Sequence, residues 1–352
     1  MISLSFSFPH HGKYSSYHRL LHYLGEGDVA VDATLPAWTY RKPYHLRGWT
    51  QNFWRARKER SAYALAKTGR HEWLHYLYPE QGYRHGGNLR QKGLKIAMSC
   101  HLPRSVLEST GDYCKVFKEG LSIADALILM SPDDIAFYRQ LAPNAKVTFI
   151  PHGIDIHHFK PSDNKNTLSR DHATILTCGG MLRDFTTLAK VIEIAASRKM
   201  PLKFQVITSK SHLDKIYLQL SPSARNIFEP MYGLSDAQLV EKYQRADLLY
   251  LPLLNATANN AVLEAMACGL PMLLSDFAAT RAYAGETAFY VEGREPSEAF
   301  AQMEKIIGDS EILHKKSFEV RNRAVNHLAW EVIIDQHRKF LSEGKAPYQF
   351  AL

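Results

Sequence analysis

The sequence has few cysteines, no long apolar run and no pair of aspartates spaced as D-x-D. Its four cysteines form no C-x-x-C pair, which argues against a disulfide framework or a zinc site and favours buried thiols in a reducing cytoplasm. No apolar stretch reaches the roughly 18 residues that a transmembrane helix needs. The short apolar N-terminus predicts a first strand rather than a signal peptide. None of the histidines has metal-ligand spacing beside a carboxylate, so we predict no bound metal ion.

Length and charge suggest two domains with different surroundings. The 352 residues are too many for one compact core, and 45% hydrophobic with 22% charged residues is typical of a globular protein. Residues 1–150 contain 20 lysines and arginines against 12 acidic residues, whereas residues 151–352 contain 23 of each. A basic first half suits a polyanionic partner such as an anionic membrane, a lipid diphosphate or nucleic acid. A solubilising charge without any partner is the alternative.

Strand and helix patterns alternate along both halves, which predicts an α/β protein with parallel sheets covered by helices. The first half includes predicted helices at Tyr14–Leu24 and Arg104–Lys118. In the second half, helical periodicity runs from Glu295 to about Leu341. We predict four parts, namely a first domain over 1–156, a linker over 157–172, a second domain over 173–329 and a last helical segment over 330–352.

The segment from Asp247 to Asp276 is the most informative part of the chain. An apolar run at Leu248–Leu251 predicts a buried strand, and Asn259 and Asn260 suit the start of a helix that Gly269 would end. Such a unit aims a helix N-terminus at the carboxyl edge of a parallel sheet. Free N–H groups and the helix dipole favour phosphate-bearing ligands there.

Three motifs carry a resemblance to a known family. Residues 264–271, EAMACGLP, closely match the E-A-M-A-x-G-x-P signature of family 4 glycosyltransferases. Residues 147–155, with Phe159 and Pro161, are similar to the family's hydrophobic strand, its P-x-G-[VI]-D and its F-x-P. Residues 177–181 are a weaker match to its glycine-rich turn. The order and spacing of the three motifs fit over most of the chain.

The resemblance implies the GT-B architecture, in which two Rossmann-like domains place their parallel sheets on either side of a cleft. A last helix, here Trp330–Leu341, crosses back to the first domain in this family. In the family, the carboxylate at the place of Glu264 accepts hydrogen bonds from the donor's ribose. The diphosphate would bind backbone N–H groups of Asn259, Asn260 and Ala261.

A cation is expected beside the departing diphosphate. The family carries an arginine directly after its glycine-rich turn, but Met181 stands there in this chain. We predict that Arg183 substitutes beside Gly180 and stabilises the leaving group; an ion pair with Asp184 is the alternative. Lys210, after another predicted strand, is the second candidate cation.

The donor-sugar site departs from the family pattern. The family places a second glutamate eight residues before the first, and this chain has Ala256 there. No carboxylate lies between positions 248 and 262, so the nature of the donor sugar stays open. Asn255 and Thr257 are the candidates to bind sugar hydroxyls as neutral donors and acceptors.

The first domain contains the candidate residues that would contact the transferred sugar and the acceptor. His101 follows a predicted strand and resembles the family's first-domain histidine, which contacts the transferred sugar; a structural histidine is the alternative. Gly12, Lys13 and Ser15 follow the first strand and are predicted to approach the acceptor, unless they form only a tight turn. Residues 49–84 form a basic and aromatic band that suits a membrane surface, with core packing of the aromatics as the alternative.

We interpret the chain as a metal-independent retaining glycosyltransferase without a cofactor, which uses a UDP- or GDP-sugar as donor. The acceptor is a glycan, a lipid-linked intermediate or a small molecule in polysaccharide, glycolipid or other glycoconjugate synthesis. The expected location is the cytoplasm, and peripheral association with the inner face of an anionic membrane is an additional option. Two alternatives stay open: a sugar transferase that acts on nucleic acid, and a nucleotide-sugar-binding protein without transfer activity.

Overall fold

The computed structural model describes residues 1–5, 13–33, 35–40, 44–66, 68, 71–81, 93–108, 112–162 and 171–344. The chain divides into two compact units. The first unit contains Met1–Gly153 and the C-terminal segment from Trp330, and the second contains Ile154–Ala329. Among the described residues, each unit has its own six-stranded sheet, and every pairing within the two sheets is parallel. The predicted α/β class with two parallel sheets is therefore confirmed.

The sheet of the first unit has the strand order β2-β1-β3-β4-β5-β6. Its strands are β1 Ile2–Ser5, β2 Val29–Asp32, β3 Trp73–Tyr76, β4 Lys95–Cys100, β5 Ala126–Leu129 and β6 Lys146–Phe149. Its α-helices in the described residues are Ala37–Tyr40, Tyr44–Ala66, Arg104–Leu107, Asp112–Leu121, Ile135–Leu141 and Trp330–Glu343, and 3-10 turns lie at Tyr17–Tyr23, Pro79–Gln81 and Pro132–Asp134.

The two faces of this sheet differ in chemistry because side chains alternate along each strand. One face is apolar and forms a buried core that includes Leu4, Tyr76, Met98 and Leu127. The other face presents fully buried polar side chains, namely Ser3, Ser5, His75 and Ser99. The C-terminal helix covers this polar face, since His337 lies against His75 with ring centroids 5.2 Å apart.

The second unit has the strand order β12-β11-β10-β7-β8-β9. Its strands are β7 Ala173–Cys178, β8 Leu202–Ile207, β9 Phe228–Met231, β10 Leu248–Leu251, β11 Met272–Ser275 and β12 Phe289–Val291. Its α-helices are Phe185–Ser197, Lys210–Gln219, Pro222–Arg225, Asp236–Arg245, Asn260–Cys268, Ala278–Ala284, Pro296–Ile307 and Ser310–Arg323, followed by a π-helical turn at Ala324–Leu328. Phe204, Leu248, Tyr250 and Phe300 belong to its buried core.

Two helix predictions in the first unit are wrong in detail. The predicted helix at Tyr14–Leu24 is a 3-10 turn over Tyr17–Tyr23, in which Arg19 N–H bonds the Ser16 carbonyl at 3.0 Å. The predicted helix at Arg104–Lys118 is two helices, Arg104–Leu107 and Asp112–Leu121.

Among the described residues, no helix combines the length and apolar content of a membrane span.

Within the described residues, the motif at 151–155 makes packing and hydrogen-bond contacts that hold the backbone in place. A side chain at Gly153 would collide with the Trp330 ring, because an added Cβ would lie 2.4 Å from two of its atoms. In the second unit, Ile154 N–H bonds the Leu328 carbonyl at 2.8 Å. The Asp155 carboxylate accepts from the backbone N–H groups of His157 and His158 at 3.1 and 3.0 Å. The motif therefore organises the chain where one unit ends and the other begins.

Candidate functional site

The helix Asn260–Cys268 begins where the chain leaves strand β10 and its following loop. Asn259 caps it, because the side-chain oxygen accepts from the Ala261 N–H at 3.1 Å. Gly269 ends the helix with φ +69°, a left-handed conformation that favours glycine. Asn260 is exposed at the first helical position. The predicted arrangement of strand, capped helix and strand is confirmed.

Arg183 connects the loop after β7 to this helix N-terminus. Its guanidinium donates to the Cys178 carbonyl at 2.8 Å, the Met181 carbonyl at 3.0 Å and the Asn259 side-chain oxygen at 3.0 Å. The pKa of Arg183 is lowered overall, because the effect of burial outweighs the opposite effects of Tyr243 and other nearby groups. The guanidinium is therefore a fixed positive charge beside the helix N-terminus rather than the partner of its neighbour in sequence.

The loop after β7 fits closely around this arginine. Gly179 has φ +90°, and an added Cβ would lie 2.6 Å from an Arg183 nitrogen, so this position requires glycine. Leu182 also has a positive φ, +59°, a conformation that is strained for a leucine. Its carbonyl accepts from Leu254 N–H at 2.9 Å, and Asp184 N–H donates to the Pro252 carbonyl at 2.9 Å. These bonds hold the loops after β7 and β10 side by side.

Asp184 does not pair with Arg183 but caps the next helix. Its carboxylate accepts from the backbone N–H and the hydroxyl of Thr187 at 3.0 and 2.9 Å. Arg294 lies 3.7 Å from the same carboxylate. The sequence left an Arg183–Asp184 ion pair as the alternative. In the structure, the two side chains bind different partners instead.

Glu264 lies inside the unit and is only 5% exposed. The Tyr243 hydroxyl donates to its carboxylate at 2.7 Å. Burial, with Glu264 as a further cause, raises the pKa of the nearby Cys178 thiol to about 12, so this thiol stays protonated at neutral pH. A hydrogen-bonded carboxylate, a fixed guanidinium and a helix N-terminus therefore meet at the carboxyl ends of the adjacent strands β7 and β10.

The loop that contains Asn255, Ala256 and Thr257 is the candidate site for the hydroxyl groups of the donor sugar. The Asn255 side-chain oxygen accepts from Ala256 N–H at 2.7 Å, which leaves its amide N–H groups as donors. Ala256 is 6% exposed, so its methyl group packs inward. Thr257 is half-buried.

Gly180 and Lys210 lie at a second helix N-terminus. Lys210 is exposed at the first position of its helix, which Ser209 caps. A Cβ at Gly180 would lie 3.1 Å from the His212 ring and 3.2 Å from Thr208, so this glycine permits close packing of the β7 and β8 loops. His212 was not singled out from the sequence, where nothing distinguishes it from the other histidines.

In the first unit, His101 is held between two tyrosines. The Tyr78 ring stacks on its imidazole at 4.7 Å, and the Tyr17 ring meets it edge-on at 4.7 Å. Its Nε2 is 2.8 Å from the Leu77 carbonyl, which assigns the proton to Nε2 and leaves Nδ1 as an acceptor. Burial lowers its pKa to about 4, so the ring is neutral at pH 7.

Tyr17 links this histidine to a buried polar network. Its hydroxyl lies 3.0 Å from Ser99 Oγ and 3.0 Å from His337 Nε2, and Ser99 Oγ is also 2.8 Å from His75 Nε2. Burial lowers the pKa of His75 to about 3 and that of His337 in the same direction. The C-terminal helix is thus attached to the sheet through neutral histidines.

These histidines should make the protein less stable in acid. An unfolded histidine binds a proton below its ordinary pKa of 6.5, whereas the folded His101 does so only below about 4 and His75 below about 3. Between these values the unfolded state binds more protons, so the free energy of unfolding falls as the pH drops, by up to about 1.4 kcal/mol per pH unit for each histidine. Urea unfolding at stepped pH measures this slope. His337→Gln should flatten it; a slope equal to that of the unchanged protein would contradict the assignment.

The acceptor candidates after β1 are only partly described. Gly12 lies outside the described residues. Lys13 is exposed, with its ammonium 5.0 Å from the Tyr14 ring centroid. Ser15 is 8% exposed as a whole residue. Within the described residues, no group of three or more histidine, cysteine or acidic side chains could hold a metal ion.

Comparisons with known proteins give a family match for part of the chain and solved structures with a similar fold. Residues 172–309 match the family model described as Glycosyl transferases group 1. No curated protein sequence matches the chain. Sucrose-phosphate synthase from Thermosynechococcus elongatus is 17% identical, with a TM-score of 0.71 over 98% of this chain and 100% of that chain. HepE from Anabaena, solved with UDP-glucose, is 13% identical, with a TM-score of 0.72 over 97% and 100%.

A third structure, a glycosyltransferase from Rickettsia africae, is 11% identical, with a TM-score of 0.67 over 97% of this chain and 98% of that chain. At such identities the likeness establishes the fold. This chain has the GT-B fold. Together with the family match, the GT-B fold supports a glycosyltransferase, and the matched residues 172–309 include the helix N-terminus, Arg183 and Glu264.

The second unit brings together most of the predicted donor-site residues. Gly180, Arg183, Asn259, Asn260, Ala261 and Glu264 all lie on or beside the loops at the carboxyl ends of β7 and β10. Sequence reasoning missed Tyr243 as the partner of Glu264. It also missed that Arg183 and Asn259 bond each other. The buried face of the helix Asp236–Arg245 could indicate that Tyr243 is internal, but no sequence pattern indicates what its hydroxyl contacts.

Proposed function

We propose that the protein is a glycosyltransferase that moves a sugar from a nucleoside-diphosphate donor to an acceptor hydroxyl. The observation that carries this proposal is Arg183, whose guanidinium is held against the Asn259 cap of a helix N-terminus. A diphosphate at this place would meet backbone N–H groups, the helix dipole and a fixed cation. Glu264, one turn into the helix, would accept hydrogen bonds from the ribose.

The proposed reaction proceeds with retention at the anomeric carbon. The bond between that carbon and the diphosphate oxygen breaks, the acceptor oxygen forms the new bond on the same face, and the acceptor's proton passes to the departing diphosphate. Arg183 and the helix N-terminus would stabilise the charge that develops on the leaving group. In this mechanism the protein cation takes the part of a metal ion, so we propose a metal-independent enzyme without a cofactor.

The remaining residues would position the sugar and the acceptor. Asn255 would donate from its free amide N–H groups, and Thr257 would offer its hydroxyl. His101, neutral and held by two tyrosines, would present Nδ1 to a sugar hydroxyl. Lys13 and Ser15, with Gly12, would approach the acceptor, and Lys210 would add a second positive charge near the diphosphate.

The donor is proposed to be a UDP- or GDP-sugar. HepE from Anabaena was solved with UDP-glucose, with UDP, and with UDP and glucose. These ligands favour a UDP-sugar over a GDP-sugar as the donor. The acceptor would be a glycan, a lipid-linked intermediate or a small molecule in glycoconjugate synthesis. The basic first half of the chain suits an acceptor held at an anionic membrane on the cytoplasmic side.

A thermal-shift screen with nucleoside diphosphates and their sugar conjugates tests the donor. A ligand that binds only the folded protein raises the melting temperature, and we expect UDP or GDP and the matching sugar conjugate to do so. Donor hydrolysis or transfer is then measured with the ligand that binds. No shift with any of these ligands would contradict the proposal.

A second candidate, a nucleotide-sugar-binding protein without transfer activity, is favoured by Ala256 in the sugar loop. Measurable hydrolysis or transfer that Glu264→Ala abolishes would exclude it. The basic first half also leaves a transferase that acts on nucleic acid as an alternative. Failure to bind duplex DNA at low salt would remove that alternative.

A further inference from the structure

The helix Tyr44–Ala66 exposes a row of large apolar side chains. Leu46, Trp49 and Phe53 are 44%, 69% and 56% exposed. Their spacing of three and four residues places them on one face of the helix. The Trp49 and Phe53 rings are nearly parallel, 15° apart, with centroids separated by 5.9 Å. A single exposed aromatic is common on protein surfaces, but an aligned row indicates an interaction site.

The second half of the same helix is basic. Arg57 and Arg60 are exposed, and Lys58 is half-buried. The charged groups of Arg57 and Lys58 lie 5.8 and 5.4 Å from the Trp54 ring. Glu59 is the only acidic residue of the helix, and it is 1% exposed and accepts from the Tyr76 hydroxyl at 3.2 Å. The solvent side of the helix therefore carries charge of one sign.

The helix is fixed to the first unit, so its outward face is a stable surface. Ala62 is fully buried in the core of the first sheet, and Leu65 packs against the same core. Three other aromatics of the band predicted at 49–84 do not belong to this surface. Trp73, Tyr76 and Tyr78 are at most 9% exposed, so the alternative of core packing holds for these three side chains. Apolar and basic residues follow one another along the axis of this helix.

We propose that this face of Tyr44–Ala66 docks on the surface of an anionic phospholipid bilayer. Trp49 and Phe53 would enter the boundary between head groups and acyl chains, where amphipathic rings are favoured. Arg57, Lys58 and Arg60 would bind lipid phosphates, in agreement with the excess of positive charge over residues 1–150. A nucleic-acid duplex would bind the basic half of the helix. It has no apolar region into which Leu46, Trp49 and Phe53 would insert.

This inference rests on the proposed function only for its purpose, which is to bring the enzyme to a membrane-held acceptor. Vesicle binding requires no donor, and donor binding requires no vesicle. Failure of one therefore leaves the other standing. The full chain is used throughout, because the helix packs on the first sheet.

The test is flotation with vesicles of phosphatidylcholine alone and with added phosphatidylglycerol. We expect binding to the anionic vesicles only, with an affinity that falls as salt rises. Trp49→Ser combined with Phe53→Ser should reduce it by about tenfold or more, since both rings lose their place in the lipid. Arg57→Gln with Arg60→Gln should reduce it by a similar factor. Phe318→Ser is the matched control, because Phe318 is 68% exposed on Ser310–Arg323 and should not affect binding.

Several outcomes would overturn the proposal. These are no binding to anionic vesicles, equal binding to both vesicle types, or an equal loss with Phe318→Ser. Binding of duplex DNA that competes with the vesicles and survives the Trp49 and Phe53 substitutions would assign the basic half to nucleic acid instead. Circular dichroism and urea unfolding confirm that the variants fold, as expected for exposed side chains.

Discussion

Replacing Glu264 by glutamine should weaken binding of a nucleoside diphosphate by about 10- to 150-fold, because a hydrogen bond to a charged group contributes about 1.5–3 kcal/mol. Glutamine keeps the shape of the side chain but loses the negative charge and one of its two acceptor oxygens. Glu264 is buried and already accepts one bond from Tyr243, so its position is fixed before a ligand binds. Isothermal titration with UDP and GDP measures the change.

Tyr243→Phe is the matched control for Glu264. It removes the hydroxyl that donates to the carboxylate at 2.7 Å but leaves both carboxylate oxygens in place. We expect a loss of about 1–3 kcal/mol in the free energy of unfolding, since the buried carboxyl group loses one of its hydrogen-bond donors. Ligand affinity should change by far less than in Glu264→Gln. If Glu264→Gln binds the diphosphate like the unchanged protein, the carboxylate has no part in the donor site.

The second large effect concerns Arg183. Arg183→Ala should lower the turnover rate by about 100- to 1,000-fold, the size of effect seen when a fixed donor to developing negative charge is removed. The charge on the leaving diphosphate grows as the bond breaks, so kcat should fall more than affinity for the donor. Arg183→Lys should recover only part of the rate, because an ammonium cannot bond Cys178, Met181 and Asn259 from one planar group.

Arg294→Ala is the control for Arg183. Arg294 is also near this loop, 3.7 Å from the Asp184 carboxylate, but its side chain is 59% exposed. Its loss should leave turnover nearly unchanged. Steady-state kinetics with saturating donor, at a temperature at which every variant is folded, separates the rate from stability. A full rate in Arg183→Ala, or an equal loss in Arg294→Ala, would remove Arg183 from the proposed chemistry.

The strands of both sheets could be predicted because apolar runs of β-branched and aliphatic residues indicate buried parallel strands. Leu248–Leu251 and the helix Asn260–Cys268 were predicted with their observed bounds. The short elements were harder. The 3-10 turn at Tyr17–Tyr23 has a pattern that an α-helix would share, and Ala278–Ala284 was not predicted at all. Local periodicity alone does not separate a 3-10 turn from an α-helix.

The polar face of the first sheet could not be predicted for a different reason. Tyr17 and His337 are 320 residues apart, and their hydrogen bond exists only once the C-terminal helix lies on the sheet. In sequence, Ser3, His75 and Ser99 are ordinary polar residues within short strands. Their burial depends on which element covers them, and strand periodicity carries no information about that element.

The sequence by itself determined that the chain forms two parallel sheets and that a capped helix starts at the carboxyl edge of the second. Those features follow from local patterns of apolar, capping and turn residues, which act over a few positions. The tertiary structure alone decided that Arg183 bonds the Asn259 cap, that Gly179 makes room for it and that Tyr243 holds Glu264. These contacts join separate loops and helices, and their geometry arises only when the strands pair.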